Sequence, residues 1–162
     1  MSPADRAALL LSYAHGPAQL REIVAGLSAE ALDFRPAPAA WTIREVVVHL
    51  AEAELHGYLR ARFAMAQEGV TILPFDQDAW VASFAGADQP LEEVLDLFRL
   101  LRELLARQLR ALPEPAWSRS VRHPELEAPL ILEALLARYE NHLKVHLAQI
   151  ARTHRAWQGQ GG

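Results

Sequence analysis

Four long segments of this 162-residue sequence place apolar residues three or four apart, whereas no stretch alternates with the period of two that is typical of strands. The segments cover residues 3–27, about 42–69, 90–112 and about 130–157. An amphipathic helix cannot bury its apolar stripe alone, so each segment needs the others as packing partners. The sequence therefore predicts an all-α four-helix bundle, formed by one domain over residues 1–157 and followed by a flexible, glycine-rich tail over 158–162.

Two local signals concern the first two helices. Gly16-Pro17 lies inside the first segment, where the missing proline N–H predicts a kinked or split helix. Thr42 and Glu45 have the Thr-x-x-Glu spacing of a capping box, with Trp41 placed before them to pack on the first turn. The second helix is therefore expected to begin at Thr42 and to end near Gly69.

The connection between the second and third helices is long. At 20 residues, the segment 70–89 is longer than an ordinary loop. Residues 78–84 within this segment are expected to form a short helix that could cover a site. Pro90 is expected at the first position of the third helix. The predicted fold is thus a bundle with a long, partly helical connection between helices two and three.

Composition and charge exclude several classes of protein. The chain has no cysteine, which excludes disulfides, cysteine zinc sites and a cysteine nucleophile, so any metal must be held by His, Asp or Glu. Sixteen basic and twenty acidic residues give a net charge of −4, without a basic cluster that would indicate nucleic-acid binding. No apolar run is long enough for a membrane span. Because the N-terminus also lacks the pattern of a signal peptide, we expect a cytoplasmic location.

The histidines are the candidate functional residues. His142 and His146 are four residues apart, which places both rings on the inward face of the last helix, close enough to share one metal ion. His49 lies at the edge of the apolar stripe of the second helix and can supply a third ligand across the core. The alternative is that these are core histidines bonded to neighbouring polar groups. The remaining histidines are His15, His56, His123 and His154. Of these, only His56 is a candidate for a role at the site.

Two regions resemble a known family. Residues 41–52, WTIREVVVHLAE, and 139–150, YENHLKVHLAQI, are similar to the two signature regions of the DinB/YfiT-like superfamily. Residues 59–60, 74–80 and 123–125 are similar to the YfiT branch in particular. The resemblance covers nearly the whole chain and implies a four-helix bundle that binds one divalent metal ion through His49, His142 and His146. The chain departs from that branch at positions 141, 145 and 149, where it has Asn, Val and Gln.

The implied site suggests a chemistry. Three neutral imidazoles leave the full double charge on a metal ion and leave coordination positions open, so the ion can lower the pKa of bound water or of a bound thiol. An activated water molecule would make the protein a hydrolase, and an activated thiol would make it a transferase. The resemblance favours transfer of a thiol such as bacillithiol or mycothiol to an electrophile, in stress or detoxification metabolism, with zinc or nickel as the expected metal. A metal-dependent hydrolase and a non-catalytic metal-binding stress-response bundle remain as alternatives.

Further residues are candidates for binding the substrate. Bacillithiol carries carboxylates, which a planar guanidinium can bind. Arg60 is the first candidate for this contact and Arg62 the second. The alternative is that each arginine is a solvated surface charge, which is the more common case on a helix. Asp76 and Trp80 could form a lid over the metal, and Gln149 on the last helix is a further candidate. Glu52 and His56 could orient a metal ligand from the same face as His49, or simply cover the flank of the helix with polar groups.

The third helix is apolar on more than one side. Leu97, Leu100 and Leu104 lie beside the stripe that faces the bundle, so something must cover this second face. The resemblance implies the same partner, since members of the family often form dimers. We therefore expect a homodimer, with small-molecule substrates and with neither a nucleic-acid nor a membrane partner.

Overall fold

The computed structural model describes residues 1–83 and 89–160. Its helices are α1 (Pro3–Val24), α2 (Ala29–Asp33), α3 (Ile43–Ala66), α4 (Gln77–Ala82), α5 (Leu91–Arg110) and α6 (Leu132–Gln158). A 3₁₀ helix (Glu114–Ser118) and the two-residue strands β1 (Ser120–Val121) and β2 (Leu130–Ile131) lie between α5 and α6. Among these residues no helix combines the length and the apolar character that crossing a membrane would require.

The four long helices form the predicted bundle. Helices α3 and α1 each pack against both α5 and α6, so α1 and α3 occupy opposite corners of the bundle. The metal-ligand candidates are therefore carried by neighbouring helices, with His49 on α3 and the other two histidines on α6. The predicted four-helix fold is confirmed.

Helix α1 runs through Gly16-Pro17 without a break, which corrects the expectation that it could be split. Proline at position 17 leaves the carbonyl of Tyr13, four residues earlier, without its helical donor. Arg102 of α5 supplies one, because its Nη1 donates to the Tyr13 carbonyl at 3.1 Å. Glycine at position 16 makes this approach possible, since a Cβ there would lie 2.3 Å from the same Nη1 atom.

Arg102 also ties the remaining helices together. Its Nε donates to Glu54 of α3 at 2.8 Å, and its Nη2 donates to the carbonyl of Tyr139 in α6 at 2.9 Å. The Tyr13 hydroxyl of α1 donates to the same Glu54 carboxylate. Arg102 and Glu54 are only 1% and 2% exposed, so this ion pair lies in the core and contacts all four helices. Such a network fixes the register of the helices.

The observed ends of α3 and α5 lie within three residues of the predicted ends. The capping box is present: Thr42 Oγ1 accepts from the Glu45 N–H at 3.1 Å, and the Glu45 carboxylate accepts from the Thr42 N–H at 2.8 Å. Helix α3 ends at Ala66, three residues before the expected Gly69. Pro90 is the N-cap residue of α5 and not its first helical residue.

The connections contain structure that the sequence did not predict. Strands β1 and β2 pair antiparallel, and Thr71 forms a parallel bridge with Arg122, which attaches the connection after α3 to this hairpin. The predicted short helix is present as α4 over Gln77–Ala82. Residue Phe84, at the end of the predicted helix, lies outside the described residues.

Candidate metal centre

Three imidazole nitrogens converge between α3 and α6. His142 Nε2 lies 3.1 Å from His49 Nε2 and 3.1 Å from His146 Nε2. One ligand nitrogen from each ring lies within 4.8 Å of the others. Ligand nitrogens about 2.05 Å from a tetrahedral ion would be about 3.3 Å apart, so the three rings fit one metal ion.

Hydrogen bonding supports the same interpretation. The Gln149 Oε1 atom lies 2.8 Å from His146 Nδ1, so that nitrogen carries the proton and donates to the amide oxygen. The lone pair of His146 is thereby directed from Nε2 towards the other two rings. One proton on His142 Nε2 could satisfy only one of its two neighbours, whereas a cation satisfies all three nitrogens. Gln149, a substrate-binding candidate in the sequence, thus lies where it orients a ligand.

The three rings are neutral at pH 7. Burial lowers the pKa of His142 to about 3, with a further contribution from the neighbouring His146. Burial, together with His146, lowers the pKa of His49 to about 4, and burial also lowers the pKa of His146. Because a metal ligand must be unprotonated, these shifts prepare the rings to bind an ion.

Aromatic residues enclose one side of the histidines. The Trp41 ring lies 4.7 Å from the His49 ring and stacks at 6.2 Å on His146, so it packs against the ligands as well as preceding the capping box. Phe75, from the connection after α3, stacks on His49 with the centroids 6.3 Å apart. These rings exclude water from the ligands, which strengthens electrostatic interactions there.

A pocket of about 130 Å³ opens beside the histidines. It is lined by His49, Ala53, Arg60, Phe75, Gln77, Arg138, Tyr139 and His142. The lining residues include two arginines and no carboxylate. The pocket is therefore suited to an anionic ligand.

Arg60 lies in this pocket as a buried cation, 8% exposed, and not on the solvated surface. Its Nη1 donates to the Tyr139 hydroxyl at 3.0 Å and its Nη2 to the Leu73 carbonyl at 3.1 Å, while its Nε has no partner in the described part of the chain. No carboxylate among the described residues forms an ion pair with Arg60. Arg62, by contrast, is exposed and donates to Gln108.

The structure places the two lid candidates beside the pocket, not among its lining residues. The Asp76 carboxylate caps α4 by accepting from the Ala79 N–H at 3.0 Å. The Trp80 ring lies 5.0 Å from His56 and 5.4 Å from Phe75. Trp80 thus supports Phe75, which does line the pocket.

Neither Glu52 nor His56 forms a hydrogen bond with a histidine of the cluster among the described residues. The His56 ring stacks on Phe75 at 4.2 Å, and its Nε2 is buried without a partner within residues 1–83 and 89–160. Glu52 also has one buried, unpartnered carboxylate oxygen, and burial raises its pKa. Of the other histidines, His15 is exposed, His123 accepts from the Glu125 N–H in a turn, and His154 stacks on a tryptophan near the C-terminus.

Five lining residues were not among the site candidates from the sequence: Ala53, Phe75, Gln77, Arg138 and Tyr139. Arg138 precedes His142 by four residues, and this spacing could have indicated that both lie on one face of α6.

Comparisons with known proteins agree with this geometry. A family model described as DinB superfamily matches residues 13–150. The chain is 32% identical over 143 residues to "Putative metal-dependent hydrolase GK0616" of Geobacillus kaustophilus, covering 87% of this chain and 80% of that protein. It is 30% identical over 142 residues to "Putative metal-dependent hydrolase YfiT" of Bacillus subtilis, covering 86% and 78%.

Solved structures show the same fold. YfiT from Bacillus subtilis, described as a probable metal-dependent hydrolase with an unusual four-helix bundle topology, matches with a TM-score of 0.90 and 26% identity over 98% of this chain and 90% of that one. A mycothiol-dependent maleylpyruvate isomerase matches with a TM-score of 0.69 and 14% identity, over 88% of this chain and 59% of that one. The second likeness concerns the fold alone.

Proposed function

The chain belongs to the DinB superfamily, and from that premise we propose that it is a divalent-metal-dependent transferase that conjugates a low-molecular-weight, anionic thiol such as bacillithiol to an electrophile. The observation that carries the proposal is a pocket lined by two of the three clustered histidines, His49 and His142, and by two arginines, with no carboxylate among its described lining residues. A divalent ion held by three imidazoles would supply positive charge that lowers the pKa of a thiol bound beside it.

The residues around the pocket have separate roles in this proposal. His49, His142 and His146 hold the ion, and Gln149 keeps the proton of His146 on Nδ1. Arg60 attracts a carboxylate of the thiol, because its buried charge has no carboxylate partner among the described residues. Phe75 covers the pocket and limits the entry of water.

A metal-dependent hydrolase is the second candidate, and the names of the relatives favour it. Hydrolysis needs a base that removes a proton from water, and a carboxylate is the usual choice beside a metal. The lining residues contain no carboxylate, and Glu52 lies outside the lining. For this reason we place thiol transfer first. A bundle that binds metal without catalysis is the third possibility.

The metal ligands can be tested by elemental analysis of purified variants. His49→Ala, His142→Ala and His146→Ala should each abolish stoichiometric binding of a divalent ion, whereas His15→Ala, an exposed histidine on α1, should retain it. Because a ligand that binds only the folded state stabilises it, a chelator should lower the melting temperature of the wild type but not of the triple variant. Full metal content in His142→Ala would disprove the site.

Thiol transfer can be tested with the metal-loaded protein and several thiols. We expect acceleration of conjugation with at least one of bacillithiol, mycothiol, glutathione and cysteine. Arg60→Ala should raise the KM for bacillithiol about 10- to 150-fold, equivalent to about 1.5–3 kcal/mol, with a much smaller effect on a thiol without carboxylates. Arg62→Ala, on the same helix but exposed, is the matched control. No acceleration with any thiol, together with metal-dependent ester or amide hydrolysis, would favour the hydrolase instead.

A further inference from the structure

The Tyr139 hydroxyl has an unpaired proton in the part of the chain that the structure describes. The residue is 8% exposed and lines the pocket together with His49 and His142. Its oxygen accepts from Arg60 Nη1 at 3.0 Å, and among the described residues its own O–H donates to none. A buried hydroxyl normally donates as well as accepts, so its proton is available to a molecule in the pocket.

The position of this hydroxyl is fixed from two sides. The ring lies flat against α3 at Gly57, where a Cβ atom would approach the ring carbons to 2.7 Å. Arg60 is itself held, because its Nη2 donates to the Leu73 carbonyl at 3.1 Å. Glycine at position 57 therefore allows the phenol to lie close to α3, and the anchored guanidinium keeps the hydroxyl oxygen in place. A fixed donor costs little reorganisation during a reaction.

Arg60 also changes the chemistry of the phenol. Its Nη1 donates directly to the phenol oxygen and can stabilise negative charge there, while its Nε, which has no partner among the described residues, remains for the carboxylate of the thiol. Tyr139 is also the single hydroxyl among the described residues that line this pocket, which makes it the natural donor to an oxygen that becomes negative.

We infer that Tyr139 is a catalytic residue that gives its hydroxyl proton to an oxygen of the electrophile, and that the electrophile is one whose oxygen becomes an alkoxide or enolate, such as an epoxide or an α,β-unsaturated carbonyl compound. This inference rests on the proposed thiol transfer. With an epoxide, the thiolate sulfur forms a bond to carbon while the carbon–oxygen bond breaks and its electron pair stays on oxygen. The oxygen takes the proton of Tyr139, and the phenolate beside Arg60 regains one from solvent, which balances the proton that the thiol released.

Tyr139→Phe, assayed with two classes of electrophile, tests this role. Phenylalanine keeps the ring against Gly57, so metal content should match that of the wild type. It also leaves Arg60 Nη1 without its acceptor, so the melting temperature should fall slightly and any change in the KM for the thiol should be the same with both classes of electrophile. With an epoxide or an enone, kcat should fall about 100-fold at nearly constant KM. With an alkyl halide, whose leaving halide needs no proton, kcat should change less than about threefold. Tyr58→Phe is the matched control, because its hydroxyl lies on α3, accepts from Gln108 and does not line the pocket.

The outcomes separate this inference from the proposed function. An equal loss with both classes of electrophile would assign Tyr139 to packing and overturn the catalytic role, as would no loss with either. Conjugation of halides without any reaction of epoxides or enones would overturn the substrate class. A metal-loaded wild type that transfers no thiol to any electrophile would overturn the proposed function itself.

Discussion

The buried histidines predict a strong dependence of stability on pH in the metal-free protein. The pKa of His142 falls from 6.5 to about 3 and that of His49 from 6.5 to about 4 on folding. Between those values and 6.5 the unfolded chain binds more protons than the folded one, so the free energy of unfolding decreases as the pH falls. The stability that the neutral rings contribute is fully present above pH 6.5 and is lost below it.

The size of the effect follows from linkage. Because both folded-state pKa values lie below 5, the unfolded histidines decide how much stability is lost between pH 7 and pH 5. Each of these two rings then costs about 1.9 kcal/mol, or about 4 kcal/mol together. Burial also lowers the pKa of His146, His56 and His123, which adds in the same direction, while the raised pKa of Glu52 acts in the opposite direction.

Urea denaturation in the presence of a chelator, at half-unit steps from pH 7 to pH 5, measures this dependence. His142→Gln should reduce the loss between pH 7 and pH 5 by about 2 kcal/mol, because a neutral amide cannot be protonated in either state. The His15→Gln variant should follow the wild type, since His15 is exposed on α1. A free energy of unfolding that stays constant over this range in the metal-free wild type would refute the argument that the rings are buried and neutral.

Three further predictions concern the bundle. Gly16→Ala places a Cβ 2.3 Å from Arg102 Nη1 and should lower the free energy of unfolding by about 2–3 kcal/mol in urea denaturation, with an unchanged stability excluding the close contact. Thr42→Ala removes half of the capping box and should cost about 1 kcal/mol in the same assay, whereas Ser at this position should retain most of it. We also propose that the exposed face of α5 forms a homodimer. Light scattering should then give about 36 kDa for the 18.0-kDa chain and about 18 kDa for Leu100→Glu, and a wild type of 18 kDa at micromolar concentration would exclude the dimer.

The sequence could predict those features that depend on local spacing. Apolar residues three or four apart located the four long helices, and Thr42 with Glu45 located the start of α3 to the residue. His142 and His146 were placed on one inward face by their separation alone. Such patterns are readable because neighbours within one helix are fixed by helical geometry.

Features that depend on distant residues could not be predicted in this way. Helix α1 remains unbroken at Pro17 because Arg102, 85 positions later, supplies the missing donor. Arg60 is buried because the connection after α3 returns over it and offers the Leu73 carbonyl. The two strands are each two residues long, which is too short to show an alternating pattern.

The same distant contacts explain why the site is precise. One metal ion requires that His49 on α3 and His142 on α6 meet within a few tenths of an ångström, and helices held only by apolar contacts can slide by more than that. Arg102 binds Glu54, five residues after His49, and the carbonyl of Tyr139, three residues before His142. The buried ion pair therefore sets the height of α3 against α6 at the level of the histidines. Burying this ion pair costs desolvation energy, and it contributes the geometry of the metal ligands in addition to stability.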